Sequence, residues 1–593
     1  MQIDIVCIQW SLFFGVFIKI KGGNSMKRGL AMILCIAVFL VSCYSLVSAC
    51  TTMLIGKNAT IDGSIIVAHS DDDELGDQRI VYVPAKDHKP GSKRPVYPYN
   101  VSYPRYVGKD RGLAYDISSY PATKPLGYID QVSHTYAYFD GNYAIMNEAG
   151  LIIGECTDAA NLNLDPKQGE RMVDISELSR IAAERCDTPV DAIKLMGDLA
   201  VKYGYYGWGE TLLVADDNEG WVFEICGSPD KKSALWVAKR VPDDKVFAAA
   251  NEFRIREINP DDPDIMYSPN LFEACEKAGW WNPDEGSFDW LKAVSPGEYN
   301  HPYYSLRRVW RIFDRLNPDL RLSPWVEDGY TKAYPFSIVP KNKVSVRDVM
   351  ALYRDHYEGT EFDMTKGLAA GPFGSPNRWI GPDDGSQNTS APIDENIKGA
   401  WERPISIFYG GYSFICQRKG WLPPEVGTTV WLGLDSPYTT CYVPFYAGVK
   451  DLPKSYQTGN TSTFSRDTAW WAFNFVANWA ELKYDYMKKD IQTKQKEIED
   501  REFAEQADVE KKAMELYRTS PMLVSDYLTD YCNSNALRVV SEWWDMADML
   551  VSKYDDGYVN DPKVAEEVGY PEWWRKDVGY QNGPKSYEKP KQE

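Results

Sequence analysis

Residues 48–74 read SACTTMLIGKNATIDGSIIVAHSDDDE, and this stretch decides the fold. Two apolar, β-branched runs, Thr51–Gly56 and Ser64–Ala68, flank a turn that ends in an Asp-Gly pair. That pattern predicts a β-hairpin. Closing the hairpin in register places Cys50 opposite Asp71, at the open end of the two strands. A carboxylate there can hold a neighbouring amine, although the acidic run 71–74 also suits a solvated loop or a calcium site.

The residues before Cys50 have the composition of a targeting segment. A basic pair precedes an apolar run, residues 29–41, and Val47 and Ala49 suit the positions before a signal peptidase cut. We therefore predict a signal peptide over 26–49, cleaved after Ala49, with signal peptidase as a maturation partner. The protein is expected to be exported, whether periplasmic, extracellular or envelope-associated. A transmembrane anchor is the alternative, for which the apolar run is short.

A second alternative is lipidation. Residues 40–43 and 47–50 both resemble a bacterial lipobox, which ends in a cysteine. Lipidation at Cys43 would leave Cys50 inside the chain until a second cut. Lipidation at Cys50 would acylate its amine and alkylate its thiol. In either case the chain could be a lipid-anchored envelope protein with Cys43 or Cys50 as its anchor.

Cleavage after Ala49 would make Cys50 an N-terminal residue with a free α-amine. An α-amine has a pKa of about 7.7–8.0, so near neutral pH it can act as a base. Nucleophile and general base then lie on one residue, and no histidine is required. The chain has 11 Cys and five His, without a CxxC pair or zinc-ligand spacing. We predict no metal and no organic cofactor for the reaction.

Net charge excludes one class of partner. The formal charge is −20 at pH 7, and no long basic stripe is present. Such a surface repels phosphate backbones, so a nucleic-acid partner is not expected. A homo-oligomer stays open.

The remaining pattern predicts an α+β protein. Hairpin signals recur up to Val246–Ala250, and helical periodicity appears over Asp174–Cys186, Ser305–Leu316 and Ser345–Tyr357. Hairpins mixed with helix pairs favour antiparallel sheets covered by helices. Asp467–Leu516 is charged, without Gly or Pro, and reads as one long helix. The predicted domains are a targeting segment, 1–49, a catalytic domain, 50–450, and a charged helical C-terminal region packed on it, 451–593.

Three further residues are candidates for chemistry. A thiolate that attacks an amide needs donors for the oxyanion, and the asparagine amide donates without carrying a charge. Asn147 lies at a hairpin turn and Asn251 ends a strand. Arg308 lies on a helix rich in arginine. Structural interpretations compete, because turn asparagines and helical arginines commonly serve the fold.

At this point the sequence resembles the dipeptidase A-type cysteine peptidases of the N-terminal-nucleophile hydrolase superfamily. The resemblance covers about residues 50–490 and consists of ordered blocks, which are harder to match by chance than one short motif. These blocks are 50–52, 56–64, 147–148, 154–155, 250–255, 354–360, 365–374, 404–406 and 442–448.

The resemblance implies a four-layer αββα sandwich, an enzyme that hydrolyses dipeptides, and Cys50 as its nucleophile. By similarity to the related bile-salt hydrolases and penicillin V acylases, Asp71 would hold the α-amine. Asn147 and Asn251 would form the oxyanion site, and Arg308 would support the nucleophile. An amidase or acylase that acts on an acyl amino acid, a bile conjugate or a penicillin is the nearest alternative.

Two neighbouring residues, His69 and Ser70, depart from the family pattern, in which an arginine and an asparagine are common. Where relatives often carry Ala-Arg-Asn-Asp, this chain has Ala68-His69-Ser70-Asp71. The arginine becomes His69, which is either a titratable donor in place of the arginine or a strand-end histidine that faces solvent.

Overall fold

The computed structural model describes residues 50–73, 76–99, 111–115, 122–297, 304–325, 328–378, 402–561 and 564–582. The predicted targeting segment, its cleavage site after Ala49 and the lipidation candidate Cys43 lie outside these residues, as does Glu74 of the acidic run. Among the described residues, no helix combines the length and the apolar character needed to cross a membrane.

The strands form two large antiparallel sheets and three small two-stranded ones. In chain order they are β1 (Thr51–Ile55), β2 (Ile65–Asp71), β3 (Val81–Val83), β4 (Lys86–Asp87), β5 (Lys93–Val96), β6 (Gly127–Asp130), β7 (His134–Thr135), β8 (Tyr138–Asp140), β9 (Ala144–Asn147), β10 (Ile152–Asp158), β11 (Gly209–Ala215), β12 (Gly220–Gly227), β13 (Ala234–Val241), β14 (Val246–Ala249), β15 (Ile265–Tyr267), β16 (Ser337–Ile338), β17 (Tyr412–Arg418), β18 (Thr428–Leu434), β19 (Val443–Tyr446), β20 (Tyr558–Asp561) and β21 (Val564–Glu567).

The helices follow the same order: α1 (Ile175–Arg185), α2 (Pro189–Tyr203), α3 (Leu271–Lys277), α4 (Trp290–Val294), α5 (Leu306–Leu316), α6 (Val346–Tyr353), α7 (Pro424–Gly427), α8 (Lys454–Gln457), α9 (Ala469–Ala480), α10 (Tyr484–Thr519), α11 (Val524–Lys553) and α12 (Glu572–Asp577). Local sequence accounts for their starts. Thr188 caps α2 by accepting from the Asp191 N–H, with Pro189 at the first helical position.

Cys50 precedes a central strand of the first large sheet. That sheet has seven strands in the order β16-β14-β1-β2-β17-β18-β19. The second has eight, in the order β15-β13-β12-β11-β10-β9-β8-β3. Strands β1 and β2 pair with Thr51 opposite Ser70, which confirms the predicted hairpin and its register.

The two large sheets face each other and carry helices on their outer faces. Leu54 of the seven-stranded sheet and Leu213 of the eight-stranded sheet belong to the same buried apolar cluster. Helices α1 and α2 cover the outer face of the eight-stranded sheet, where Leu178 and Phe223 share a cluster. Helices α5 and α6 cover the other outer face. This is the predicted α+β, four-layer αββα sandwich, in which each fully buried Leu or Phe contributes about 1.5–3 kcal/mol.

The C-terminal helices pack on the sandwich. The apolar cluster between the sheets continues into α9, α10 and α11, and the rings of Phe473 and Trp543 lie 5.4 Å apart. The single long helix expected over Asp467–Leu516 is wrong, because the chain breaks at Lys483. The Lys483 backbone has φ −150° and ψ 63°, outside the helical region, and its Nζ donates to Val568 O at 2.8 Å.

Candidate active site

Cys50 is fully buried at the start of β1, between β2 and β14. Side chains alternate along a strand. Thr51 Oγ1 accepts from Arg308 on the helical side, so the Cys50 thiol points the other way, toward β10 of the facing sheet. There its sulfur lies within 4.8 Å of a Glu155 carboxylate oxygen. The nucleophile candidate therefore lies between the two sheets.

Close approach of the sheets at this place depends on Gly154 of β10. A Cβ atom there would lie 2.9 Å from Val67 Cγ1 and 3.0 Å from Thr52 Oγ1. Both neighbours belong to the hairpin that carries Cys50. The absence of a side chain at residue 154 therefore lets β10 approach the strand that follows Cys50.

Arg308 of α5 fixes the backbone around Cys50. Its Nη1 donates to Cys50 O at 2.8 Å, and its Nη2 donates to Ala250 O at 3.1 Å and to Asn251 Oδ1 at 2.6 Å. Burial lowers the pKa of this guanidinium below its usual value. The adjacent Arg307 instead donates to Glu402 and lies over the Phe362 ring. The structure thus brings Arg308, and not Arg307, to Cys50.

Asn251 joins Arg308 at the site. It follows β14 with φ 68°, a left-handed conformation that asparagine tolerates better than most residues. Its Nδ2 donates to Thr157 O at 2.6 Å, and its backbone N–H donates to Cys156 Sγ at 2.9 Å. An amide nitrogen carries two hydrogens, and the second makes no hydrogen bond within the described part of the chain. Asn251 is therefore suitable as an oxyanion donor.

Asn147, in contrast, is not part of the site, which corrects its assignment as an oxyanion donor. Its Nδ2 donates to Ala183 O at 2.9 Å and to Cys186 O at 2.8 Å, and its Oδ1 accepts from the Leu151 N–H at 2.9 Å. Both amide hydrogens are thus committed to the last turn of α1. That helix covers the outer face of the eight-stranded sheet, whereas Cys50 contacts the inner face.

The acidic run after β2 is not a solvated loop where it is described. Asp71 and Asp72 are each 1% exposed. The Asn142 amide donates to Asp71 Oδ2 at 2.6 Å, and Asp71 Oδ1 is buried without a partner among the described residues. Burial, and then the nearby Asp73, raise the pKa of Asp71 well above its usual value. The structure therefore places Asp71 beside Cys50 as an acid without a cation.

Asp72, unlike Asp71, is paired with an arginine. Arg403 Nη2 donates to its Oδ2 at 2.6 Å. Burial raises its pKa, while Arg403 and Arg308 oppose that rise. We call Asp72, Arg308 and Arg403 the arginine flank of Cys50.

On the opposite side, three buried carboxyl groups lie on two neighbouring strands. Glu155 and Asp158 of β10 and Glu210 of β11 are at most 6% exposed. Burial raises the pKa of both Glu155 and Glu210, and the neighbouring Glu155 raises that of Glu210 further. No lysine or arginine within the described residues forms an ion pair with any of the three. We call Glu155, Asp158 and Glu210 the acid flank.

Sequence reasoning missed the acid flank. The signal was a glutamate and an aspartate inside the otherwise apolar strand β10. Burial, and then Glu155 and Asp71, raise the pKa of the Cys50 thiol well above its usual value. The resting thiol is therefore protonated and needs a base in contact with it.

His69 of β2 contacts the acid flank through Glu155. It is 1% exposed, so the solvent-facing interpretation is wrong. Its Nδ1 hydrogen-bonds Glu155 O at 2.7 Å, and its Nε2 is buried without a partner among the described residues. Burial lowers the pKa of this imidazole to about 4, so His69 is neutral near pH 7 and supplies no replacement for an arginine charge.

Known proteins with similar sequences are dipeptidases by name. The chain is 28% identical over 425 residues to a probable dipeptidase of Salmonella dublin. The matched region is 70% of this chain and 83% of that protein. It is 26% identical over 449 residues to a probable dipeptidase of Latilactobacillus sakei, covering 74% and 83%.

A solved penicillin V acylase from Agrobacterium tumefaciens matches with 14% identity and a TM-score of 0.19, over 32% of this chain and 49% of that one. A likeness of that size carries no weight for the site.

The family comparison covers most of the chain. Residues 49–497 match peptidase family C69, a region that starts one residue before Cys50 and extends into α10. The match confirms the predicted resemblance and the prediction that the protein is an enzyme. The chain belongs to peptidase family C69.

Proposed function

We propose that this protein is an exported dipeptidase in which Cys50, exposed by signal peptidase, is an N-terminal nucleophile. The observation that carries the proposal is the position of Cys50. It is buried between the two sheets, and the arginine that binds its carbonyl oxygen also binds the candidate oxyanion donor Asn251. The relatives named as dipeptidases support the substrate class.

The α-amine of Cys50 would be the general base. Because the thiol is protonated at rest, the attacking sulfur must lose its proton to a group in contact with it. The amine on the same residue meets that need once Ala49 is removed, whereas a peptide nitrogen is hardly basic. Asp71 lies opposite Cys50 and has no ion-pair partner among the described residues, so it is suited to hold the amine.

The reaction then takes two steps. The thiolate attacks the peptide carbonyl, the Asn251 amide donates to the oxyanion, and the protonated amine gives its proton to the leaving amino acid. Water, deprotonated by the same amine, cleaves the acyl-enzyme. Arg308 holds Cys50, Ala250 and Asn251 in one geometry, and it does not take part in proton transfer.

The deciding experiment measures intact mass, N-terminal sequence and dipeptide hydrolysis on one sample of the exported protein. We expect a free Cys50 terminus and activity that is lost in Cys50→Ala. Cys156→Ser is the matched control, because Cys156 is an adjacent buried thiol that donates to Cys50 O. It should keep most of the activity.

Three outcomes contradict the proposal. Full activity with a terminus upstream of Cys50 would remove the amine as base. A diacylglyceryl group on Cys50 would make this residue an anchor. Hydrolysis of acyl amino acids without hydrolysis of free dipeptides would make the protein an amidase.

A further inference from the structure

The acid flank contains a set of metal-ligand atoms that the proposed reaction does not use. Cys50 Sγ, one ring nitrogen of His69 and one carboxylate oxygen of Glu155 lie within 4.8 Å of one another, and all three residues are buried. They come from three different strands or strand ends, which is why linear spacing in the sequence gave no sign of a metal site.

The hydrogen bonds of His69 leave the correct nitrogen for a metal. Glu155 O is a carbonyl oxygen and can only accept, so Nδ1 must carry the hydrogen in that 2.7 Å contact. The lone pair is then on Nε2, which is buried and has no partner among the described residues. Metal-binding histidines usually donate their other ring N–H to a carbonyl or carboxylate in this way.

Glu155 also has a ligand atom available for a metal. Its Oε2 is also buried without a partner in the described chain, and it lies 3.9 Å from His69 Nδ1, so the ring must tilt to bring Nε2 to the same metal. The charge of Asp72 acts unfavourably on an ionised Glu155, and no lysine or arginine among the described residues forms an ion pair with Glu155, so a divalent cation would be electrostatically favoured here.

We propose that Cys50, His69 and Glu155 bind Zn²⁺ and that bound zinc holds the mature enzyme inactive. Thiolate, imidazole and carboxylate are the ligands that Zn²⁺ takes in proteins. The α-amine of Cys50 is a fourth ligand, since amine and thiolate of one residue form a five-membered chelate. This part of the inference rests on the proposed function, which supplies the free amine.

The chemistry balances without a redox partner. Zn²⁺ displaces the thiol proton of Cys50 to solvent and forms a zinc–sulfur bond. The amine nitrogen then has no lone pair with which to accept a proton, and the zinc-bound sulfur is a poorer nucleophile than a free thiolate. In a tetrahedral zinc site the ligand atoms lie roughly 3.5 Å apart, so side-chain rotations of about 1 Å close the site. Zinc would be an inhibitor and not a cofactor.

The test uses the mature protein, reduced, freed of metal and verified by mass to begin at Cys50. Zn²⁺ is titrated against a chromophoric chelator while dipeptide hydrolysis is followed on the same sample. We expect one tight Zn²⁺ per chain, loss of activity in proportion to occupancy, and recovery when chelator is added. His69→Gln should weaken zinc binding at least about tenfold. His134→Gln, at an exposed histidine paired with Asp87, is the control for adventitious surface binding and should bind like the wild type.

Cobalt gives a second readout that needs no variant. Co²⁺ bound to Cys50 should produce a thiolate-to-metal absorption band that Cys50→Ala lacks. Wild-type protein without this band, or equal zinc affinity in wild type and a folded His69→Gln, would overturn the inference. Full dipeptidase activity in a protein that does not bind zinc would overturn the zinc site and leave the proposed function standing. Zinc binding in a protein that does not hydrolyse dipeptides would overturn the proposed function and leave the zinc site standing.

Discussion

The two flanks of Cys50 treat buried charge in opposite ways. On the arginine flank Asp72 is bound by Arg403, and Arg308 donates to five backbone and side-chain oxygens of the described chain. On the acid flank Glu155 and Glu210 face each other, without an ion-pairing lysine or arginine in the described structure. Paired buried charges fix a geometry, whereas unpaired ones leave a site that favours protons or cations. The comparison separates the residues that position Cys50 from those that control its protonation.

The largest effect is expected at the arginine flank. In Arg308→Lys a single ammonium replaces a planar fork and cannot reach Cys50, Ala250 and Asn251 together. We expect kcat/KM for a dipeptide to fall about 10³-fold, the upper end of the loss for one preorganised donor. Arg307→Lys is the matched control on the same helix turn and should lose less than about tenfold by the same scale. Equal losses would mean that the fork at Arg308 has no special role.

The two asparagines sharpen the comparison next. Asn251→Ala should lower kcat/KM about 10²-fold with a smaller change in KM, because an oxyanion donor acts in the transition state. Asn147→Ala should instead lower the melting temperature, since the carbonyl oxygens of Ala183 and Cys186 lose their donor at a cost of about 1–3 kcal/mol. A large catalytic loss in Asn147→Ala would restore that residue to the active site.

A third test asks which carboxylate holds the amine. A carboxylate in contact raises the pKa of an ammonium, so Asp71→Asn should move the acid limb of the kcat/KM profile to lower pH by roughly one unit. Activity at the optimum should fall roughly tenfold, the lower end for a group that aids proton transfer. Asp72→Asn should leave the position of the limb unchanged, because Asp72 already binds Arg403. A shift in Asp72→Asn alone would exchange the two roles.

The smallest effect is expected at a buried acid outside both flanks. Asp435 accepts from Asn474, its φ is 65°, and burial raises its pKa to about 7. An acid whose pKa is raised by folding destabilises the folded state as pH rises from its unfolded pKa to its folded one. Asparagine tolerates the same backbone conformation and carries no charge. The melting temperature of Asp435→Asn should therefore rise relative to wild type as pH increases from about 4 to 7, and the difference should stay constant above about pH 7. A gain of a few degrees, measured by thermal unfolding, would calibrate what an unpaired carboxylate costs.

Much of the frame was predictable from the sequence. A short turn dictates the register of the first hairpin, and that register places Asp71 opposite Cys50. The αββα layering followed from the family resemblance. Asn251 and Arg308 follow from positions at a strand end and on a helix face, although their mutual contact needed the fold.

The remaining features depend on contacts that are distant in sequence. Asn147 was predicted at a turn, but the last turn of α1 decides where its amide points. The acid flank arises because Thr157 of β10 pairs with Glu210 of β11, although the two residues are far apart in the sequence. A break at Lys483 has no Gly or Pro to announce it. These side-chain directions are tertiary properties, which propensity and periodicity do not encode.

Burial of Cys50 has a consequence for its resistance to oxidation and to thiol–disulfide exchange. An exported cysteine enzyme works among oxidants and foreign disulfides, which attack thiolates far faster than thiols. The eight cysteines in the described part of the chain are all buried and none is in a disulfide. A nucleophile that stays protonated until a substrate arrives is a poor target for peroxide or thiol exchange. In the exported enzyme that we propose, the same carboxylates that make Cys50 dependent on a base would thus prolong its working life.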